Sequence, residues 1–315
     1  MGKDVRWFNQ RWVRVGLTLT LMALILVWVG PKSIWDTIKT SRPGPLLLSL
    51  LFTPVVIGVK TLRWLLLART QCSISFREAL RSYLAGLALA IITPMAAGEA
   101  GRGLFVSTGD PAGLTGKVIL DKLVDLSTVS IFSGIGLFLT GEPAAQAIGV
   151  AISVGTFVAW SGMLLLRPKL EGLADGVEAS GLARFFGGLR TRFRIPAIVS
   201  GLTRTPVAQL ALNMGLSLVG FTVFYSQAFV LMRAFWAEAP WTVVPYFPII
   251  TLSTILPIAI GGVGVREWTA ILLLRRFGVT ESVAFNTFFA HFVIVQLLPA
   301  FAGAAIVGSF RREGE

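Results

Sequence analysis

Cysteine, histidine and acidic side chains are scarce in this chain. Cys72 is the single cysteine and His291 the single histidine among 315 residues. That excludes an internal disulfide and any cysteine metal cluster, and Cys72 reads as a small packing residue. Charged residues make up only 14% of the chain, whereas soluble domains carry roughly 25%. Acidic residues number 16 against 28 basic ones, a formal net charge of +12. An excess of that size can mark nucleic-acid binding, but here the basic residues flank apolar segments and line no soluble face. They report membrane orientation and contact with anionic headgroups, and no nucleic-acid partner is expected. No nucleophile stands near a histidine, and no metal-ligand spacing occurs. Gly261-Gly262-Val263-Gly264 follows no strand, so it is not a dinucleotide fingerprint. Without ATP motifs a primary pump is disfavoured. The chain reads as a non-enzyme without cofactor or metal.

What the chain has is apolar sequence. Hydrophobic residues reach 54%, and the mean hydropathy is +0.76. Six runs approach or exceed the roughly 20 residues that cross about 30 Å of hydrocarbon. Backbone groups in lipid must be satisfied locally, so these runs should be helices. The expected spans are Val13–Val29, Leu46–Leu67, Gly116–Thr140, Ala144–Leu166, Thr205–Met232 and Glu281–Gly308. The turn Gly141-Glu142-Pro143 separates the third from the fourth. The first span is basic at its start but carries no small-x-small cleavage pattern, so it reads as uncleaved. Residues 167–204 form a polar loop whose middle, Leu182–Phe193, reads as an amphipathic surface helix.

Two further apolar stretches are broken by proline and glycine. Ala79–Val106 contains Pro94, Gly98, Gly101 and Gly103. Val243–Leu274 contains Pro245, Pro248, Pro257 and three closely spaced glycines. Such breaks predict a helix entering partway, a turn, and a short helix returning. The basic residues place both termini in the cytoplasm of a multi-pass protein of the cell (inner) membrane. The first hairpin then enters from the cytoplasm and the second from outside. The expected fold is an all-α integral membrane domain over 1–315, with about six transmembrane helices and two re-entrant hairpins. Its halves, about 1–140 and 141–315, form an inverted repeat, a common plan for a midplane site.

The two breaks resemble each other in sequence. Pro94 is followed by Gly98 and then Arg102; Pro257 is followed by Gly261 and then Arg266. Each arginine has a glutamate nearby, Glu99 or Glu267. Two readings stand. The pairs neutralise one another, or two tips with free helix N–H groups and arginines form an anion site near the midplane. A purely structural buried ion pair returns little stability, which favours the second. Asp121 and Asp125 lie four residues apart, on one face of the third span. They read as a polar lining or as partners for Arg102, with Lys122 beside them. Arg63 reads as snorkelling to the headgroups, while Lys60 lies deeper. His291 reads as a helix-contact histidine near Asn286 and Gln296. Spans rich in glycine and alanine allow a homo-oligomer.

The Gly-Glu-x-x-Arg core at 98–102, the acidic pair Asp121 and Asp125, and the Pro-x-x-x-Gly-Gly-x-Gly-x-Arg-Glu pattern at 257–267 resemble the lysylphosphatidylglycerol synthase transmembrane family, also described as flippase-like. The resemblance covers nearly the whole chain. It implies a protein that moves a lipid or lipid-linked sugar between leaflets, with function carried by Glu99, Arg102, Asp121, Asp125, Arg266 and Glu267. Lys60, Arg63, Lys122 and His291 are secondary candidates. Full-length synthases add a soluble aminoacyl-transfer domain, whereas this chain stops at Glu315, so aminoacyl transfer is not expected of it. The family often has arginine after the first motif and in the last span, where Lys122 and His291 stand here. The leading expectation is translocation of an anionic lipid headgroup. The alternatives are a secondary transporter of a small anion and a non-transporting membrane subunit of envelope glycosylation.

Overall fold

The computed structural model describes residues 11–179, 195–255 and 260–312. The proposed surface helix Leu182–Phe193 and residues 256–259 of the second break lie outside them. The regular structure of the described residues is all helical, without strands. The helices are α1 (Arg11–Val29), α2 (Pro31–Lys39), α3 (Pro43–Ala68), α4 (Phe76–Ile92), α5 (Pro111–Leu139) and α6 (Pro143–Ala179). They continue as α7 (Ile195–Thr203), α8 (Val207–Phe235), α9 (Phe247–Leu252), α10 (Val265–Leu274), α11 (Glu281–Phe292) and α12 (Leu298–Arg312).

Proline starts four of these helices, at Pro31, Pro43, Pro111 and Pro143. Its fixed φ suits the first helical position, and its missing N–H would be unpaired there anyway. Side chains cap two starts: Ser75 accepts from the Glu78 amide, and Asp110 accepts from the Gly113 amide.

Five helical segments are long and apolar enough to cross a membrane: Pro43–Ala68, Pro111–Leu139, Pro143–Leu170, Val207–Phe235 and Glu281–Val307. They match five of the six expected spans, and the molecule is an integral membrane protein. The sixth, α1, forms as a helix but is not among the five. The segment expected as a polar loop from Arg167 is instead helical up to Ala179, α6 running on through Pro168.

The first broken segment is a hairpin. Helix α4 is followed by a 3-10 helix, Pro94–Phe105, that packs along it. Gly98 permits this, because a Cβ there would overlap the Leu89 carbonyl. The base of the hairpin is tied by Glu78, whose carboxylate accepts from the Ser107 amide at 2.7 Å and its hydroxyl at 2.6 Å. The Ser107 hydroxyl bond is the main reason Glu78 sits below its usual acidity range, against an opposing effect of burial. A lowered carboxylate stabilises the folded state above its ordinary titration range and loses that contribution as pH falls through the lowered value. Amide exchange at Ser107 is therefore expected to speed up below about pH 4 beyond its intrinsic pH trend. Glu78→Gln should remove that extra acid dependence; its persistence in the variant would show that another group is responsible.

The second broken segment runs through a 3-10 turn at Trp241–Tyr246, α9, short 3-10 turns, and α10. Gly262 at φ 71° and Gly264 at φ 89° make the reversal, in backbone territory that favours glycine. Its turn at Ile260–Gly262 packs against the 3-10 arm of the first hairpin. The last span is interrupted by a π turn at Val293–Leu297. Pro299, one turn on, has no N–H to give to the Val295 carbonyl, which favours such a distortion.

Candidate functional site

Three helices and the first hairpin converge on a cluster of charges. Arg102 sits between two aromatic rings, its guanidinium 5.0 Å from Trp64 of α3 and 5.5 Å from Tyr83 of α4. It bonds Glu99 at 3.1 Å and Asp121 of α5 at 3.2 Å. Asp121 also pairs with Arg63 of α3 at 2.8 Å. Arg63 pairs in turn with Asp125, which Lys60 reaches at 3.1 Å. Lys122 closes the other end on Glu99. The network is continuous: Lys122, Glu99, Arg102, Asp121, Arg63, Asp125, Lys60.

Lys60, Arg63, Arg102 and Lys122 bring four positive charges and Glu99, Asp121 and Asp125 three negative ones, leaving one positive charge in excess. The cost of burying so many charges is offset by hydrogen bonds as well as pairing. Asn213 of α8 accepts from Arg63 at 3.1 and 3.2 Å and donates back to its carbonyl. Ser217, one turn further, reaches Asp125 at 3.4 Å.

The Arg63 side chain does not snorkel. It is buried at the centre of the network, because Asp121 and Asp125 on the facing helix supply both countercharges. Asn213 and Ser217 were not anticipated. The available signal was two polar residues four apart in an apolar span, hence on one face.

A cavity of about 350 Å³ opens beside the network. Lys60, Glu99, Lys122 and Asp125 line it, with Phe221, Phe224, Thr251, Thr254, Gly261 and Gln296 opposite. The buried members Arg63, Arg102 and Asp121 stand behind this wall. Lys122 is the most exposed charge, with 41% of its side chain accessible.

The second break supplies a separate pair. Arg266 bonds Glu267 at 2.5 and 3.1 Å and lies 4.9 Å over the Phe292 ring. Glu267 is wholly buried and accepts from the Gly264 amide at 2.6 Å. It therefore satisfies the start of its own helix. At the first break Thr93 takes the Gly98 amide at 2.7 Å, and Arg102 falls near the end of the 3-10 helix. The expected cradle of free tip amides is occupied at both of these positions by the protein's own side chains. Arg266 and His291 face a smaller cavity of about 110 Å³, which shares Phe224, Thr251, Thr254, Gly261 and Gln296 with the larger one. Of the ten candidate residues, seven form the ionic network, Arg266 and Glu267 form a second pair, and His291 lies beside Arg266 across the shared wall.

The chain is a member of the lysylphosphatidylglycerol synthase TM region family, whose model matches residues 12–303. That places it among membrane proteins of lipid-related function. No curated protein matches the sequence.

Proposed function

We propose that the protein is a flippase-like translocase, not an enzyme, which binds the anionic headgroup of a lipid or lipid-linked sugar and passes it between leaflets. The observation that carries this reading is the cavity faced by Lys60 and Lys122, backed by a network with one positive charge in excess. A surplus of positive charge whose most accessible members, Lys60 and Lys122, face the cavity favours an anionic ligand. Lys60 and Lys122 make the direct contacts in this reading, and Arg266 contributes from the second break. Arg102, Arg63 and Asp121 hold Glu99 and Asp125 in place.

The wider mechanism extends the same reading. Both hairpins are re-entrant from opposite faces, and the two halves are inverted repeats that rock about the cavity. The order of elements supports this: among the described residues each half contains two long helices with a short one between them, a broken segment and a further span. The contact between the Ile260–Gly262 turn and the 3-10 arm of the first hairpin gives a gate that both halves share. The setting is the cell membrane, with both termini cytoplasmic.

Lys122→Gln tests the direct contact. Lys122 is partly exposed and Glu99 keeps Arg102, so the fold should survive. Removing one charged contact from the headgroup should slow translocation of a fluorescent phosphatidylglycerol in proteoliposomes by about tenfold or more. An unchanged rate in well-folded variant would sink the direct role. Concentrative uptake of a soluble anion by lipid-inactive vesicles would replace the reading with anion transport.

A further inference from the structure

The small cavity is lined by buried polar groups that the protein satisfies poorly or not at all. His291 Nε2 is buried without a hydrogen-bond partner, and the buried Tyr225 Oη has no more than a loose contact with Thr251. The residues are 4% and 3% exposed, and both line the same cavity of about 110 Å³. Unpaired buried polar atoms carry a desolvation cost, so their convergence calls for an occupant. Thr251 Oγ1 and Thr254 Oγ1 donate to carbonyls of their own helical turns at 3.0 and 2.7 Å, which leaves their lone pairs and not their protons for a guest. Gln296 is carried into the wall by the π turn.

Charge decides the kind of guest. Arg266 lines the cavity with 12% of its side chain accessible. It touches Glu267 only through Nε and Nη2, and a guanidinium has five donors in a planar fork. Tyr225 adds an O–H donor. A neutral histidine offers a lone pair or an N–H at Nε2 according to its tautomer. Donors from Arg266 and Tyr225 together with a histidine nitrogen match a compact oxyanion that carries a hydroxyl, as a phosphate monoester does. Size agrees: a cavity of about 110 Å³ has room for a phosphate. The small cavity is also the more enclosed of the two, and it adjoins the larger across Phe224 and Gln296. A guest reaching it through the larger cavity would put its terminal group there.

We infer that the Tyr225–Arg266–His291 cavity is a subsite for a terminal phosphate monoester, which reaches it through the larger cavity faced by Lys60 and Lys122. This rests on the headgroup reading above and narrows it from anionic lipids in general to those ending in a phosphate.

Tyr225→Phe is the clean test, because the hydroxyl it removes makes no more than a loose contact with Thr251 in the protein. Its melting temperature without ligand should equal that of the wild type. Binding would be measured by tryptophan fluorescence on purified full-length protein. The probes are nanodiscs containing phosphatidic acid, nanodiscs containing phosphatidylglycerol, and inorganic phosphate alone. The wild type should prefer phosphatidic acid over phosphatidylglycerol, and Tyr225→Phe should weaken phosphatidic acid binding about tenfold or more with little effect on phosphatidylglycerol. His291→Gln should weaken the same probe. Saturable binding of inorganic phosphate that is lost in Tyr225→Phe supports the oxyanion subsite and assigns its guest to a free ion if phosphatidic acid does not bind. That last result removes the headgroup reading and leaves the subsite. If both lipids bind equally and Tyr225→Phe changes neither, the subsite is overturned and the headgroup reading stands. If no probe binds and ordered water alone fills the cavity, both fall.

Discussion

Replacing Arg63 with methionine is expected to destabilise the protein by about 3–5 kcal/mol, the usual cost of removing one partner from a buried ion pair. Arg63 is 2% exposed and is the node of the network. It pairs with both Asp121 and Asp125 and is held by Asn213. Its loss leaves Asp121 with Arg102, and Asp125 with Lys60. The network would then hold three charges of each sign, but Asp125 would lose its closest partner and Asn213 Oδ1 the donors it accepts from, all in a buried setting. The check is a thermal melt in detergent, followed by size-exclusion chromatography. Arg63→Met combined with Asp121→Asn should recover part of the loss, since the double change removes one charge of each sign. If Arg63→Met melts like the wild type, the network contributes nothing to the fold. Methionine fills the apolar volume, which separates the charge effect from a cavity effect.

Arg266→Ala is expected to abolish headgroup translocation, to below about one hundredth of the wild-type rate. Two effects combine. The headgroup loses a planar donor that matches an oxyanion, and Glu267, wholly buried, loses its only cationic partner among the described residues. The second effect also threatens the fold, so Arg266→Lys is the companion variant. Lysine keeps the charge beside Glu267 but not the fork. It should restore the melting temperature and only part of the rate. A wild-type rate in folded Arg266→Ala would remove the second break from the mechanism. A full rate in Arg266→Lys would show that charge alone matters there.

Much of this arrangement was readable from residue order, for reasons that differ by element. The long spans were visible because hydropathy acts locally: five apolar runs became helices with boundaries close to those expected, starting at prolines where these are present. The two breaks were visible because proline and glycine restrict or free the backbone wherever they stand, as at Gly262 and Gly264. The spacing of Asp121 and Asp125 put them on one face, and the fold uses that face for one cluster. Arg63 was misread because its neighbours in sequence are apolar and its partners lie on other helices, 58 or more positions away. The free tip amides were misread for a related reason. Whether a helix start is open to a ligand depends on nearby side chains, and Thr93 and Glu267 close the two amides concerned.

Residue order by itself determined that this is a helical membrane protein, where its helices break, and which rare charges must be accommodated inside it. Those properties follow from hydropathy and backbone freedom, which each segment carries with it. Tertiary structure alone decided which charges meet, that they sum to one positive in excess, and that two cavities share a wall. Those depend on how distant helices pack. A charge in apolar surroundings takes the partner that packing brings within reach, and nothing within one helix specifies that partner.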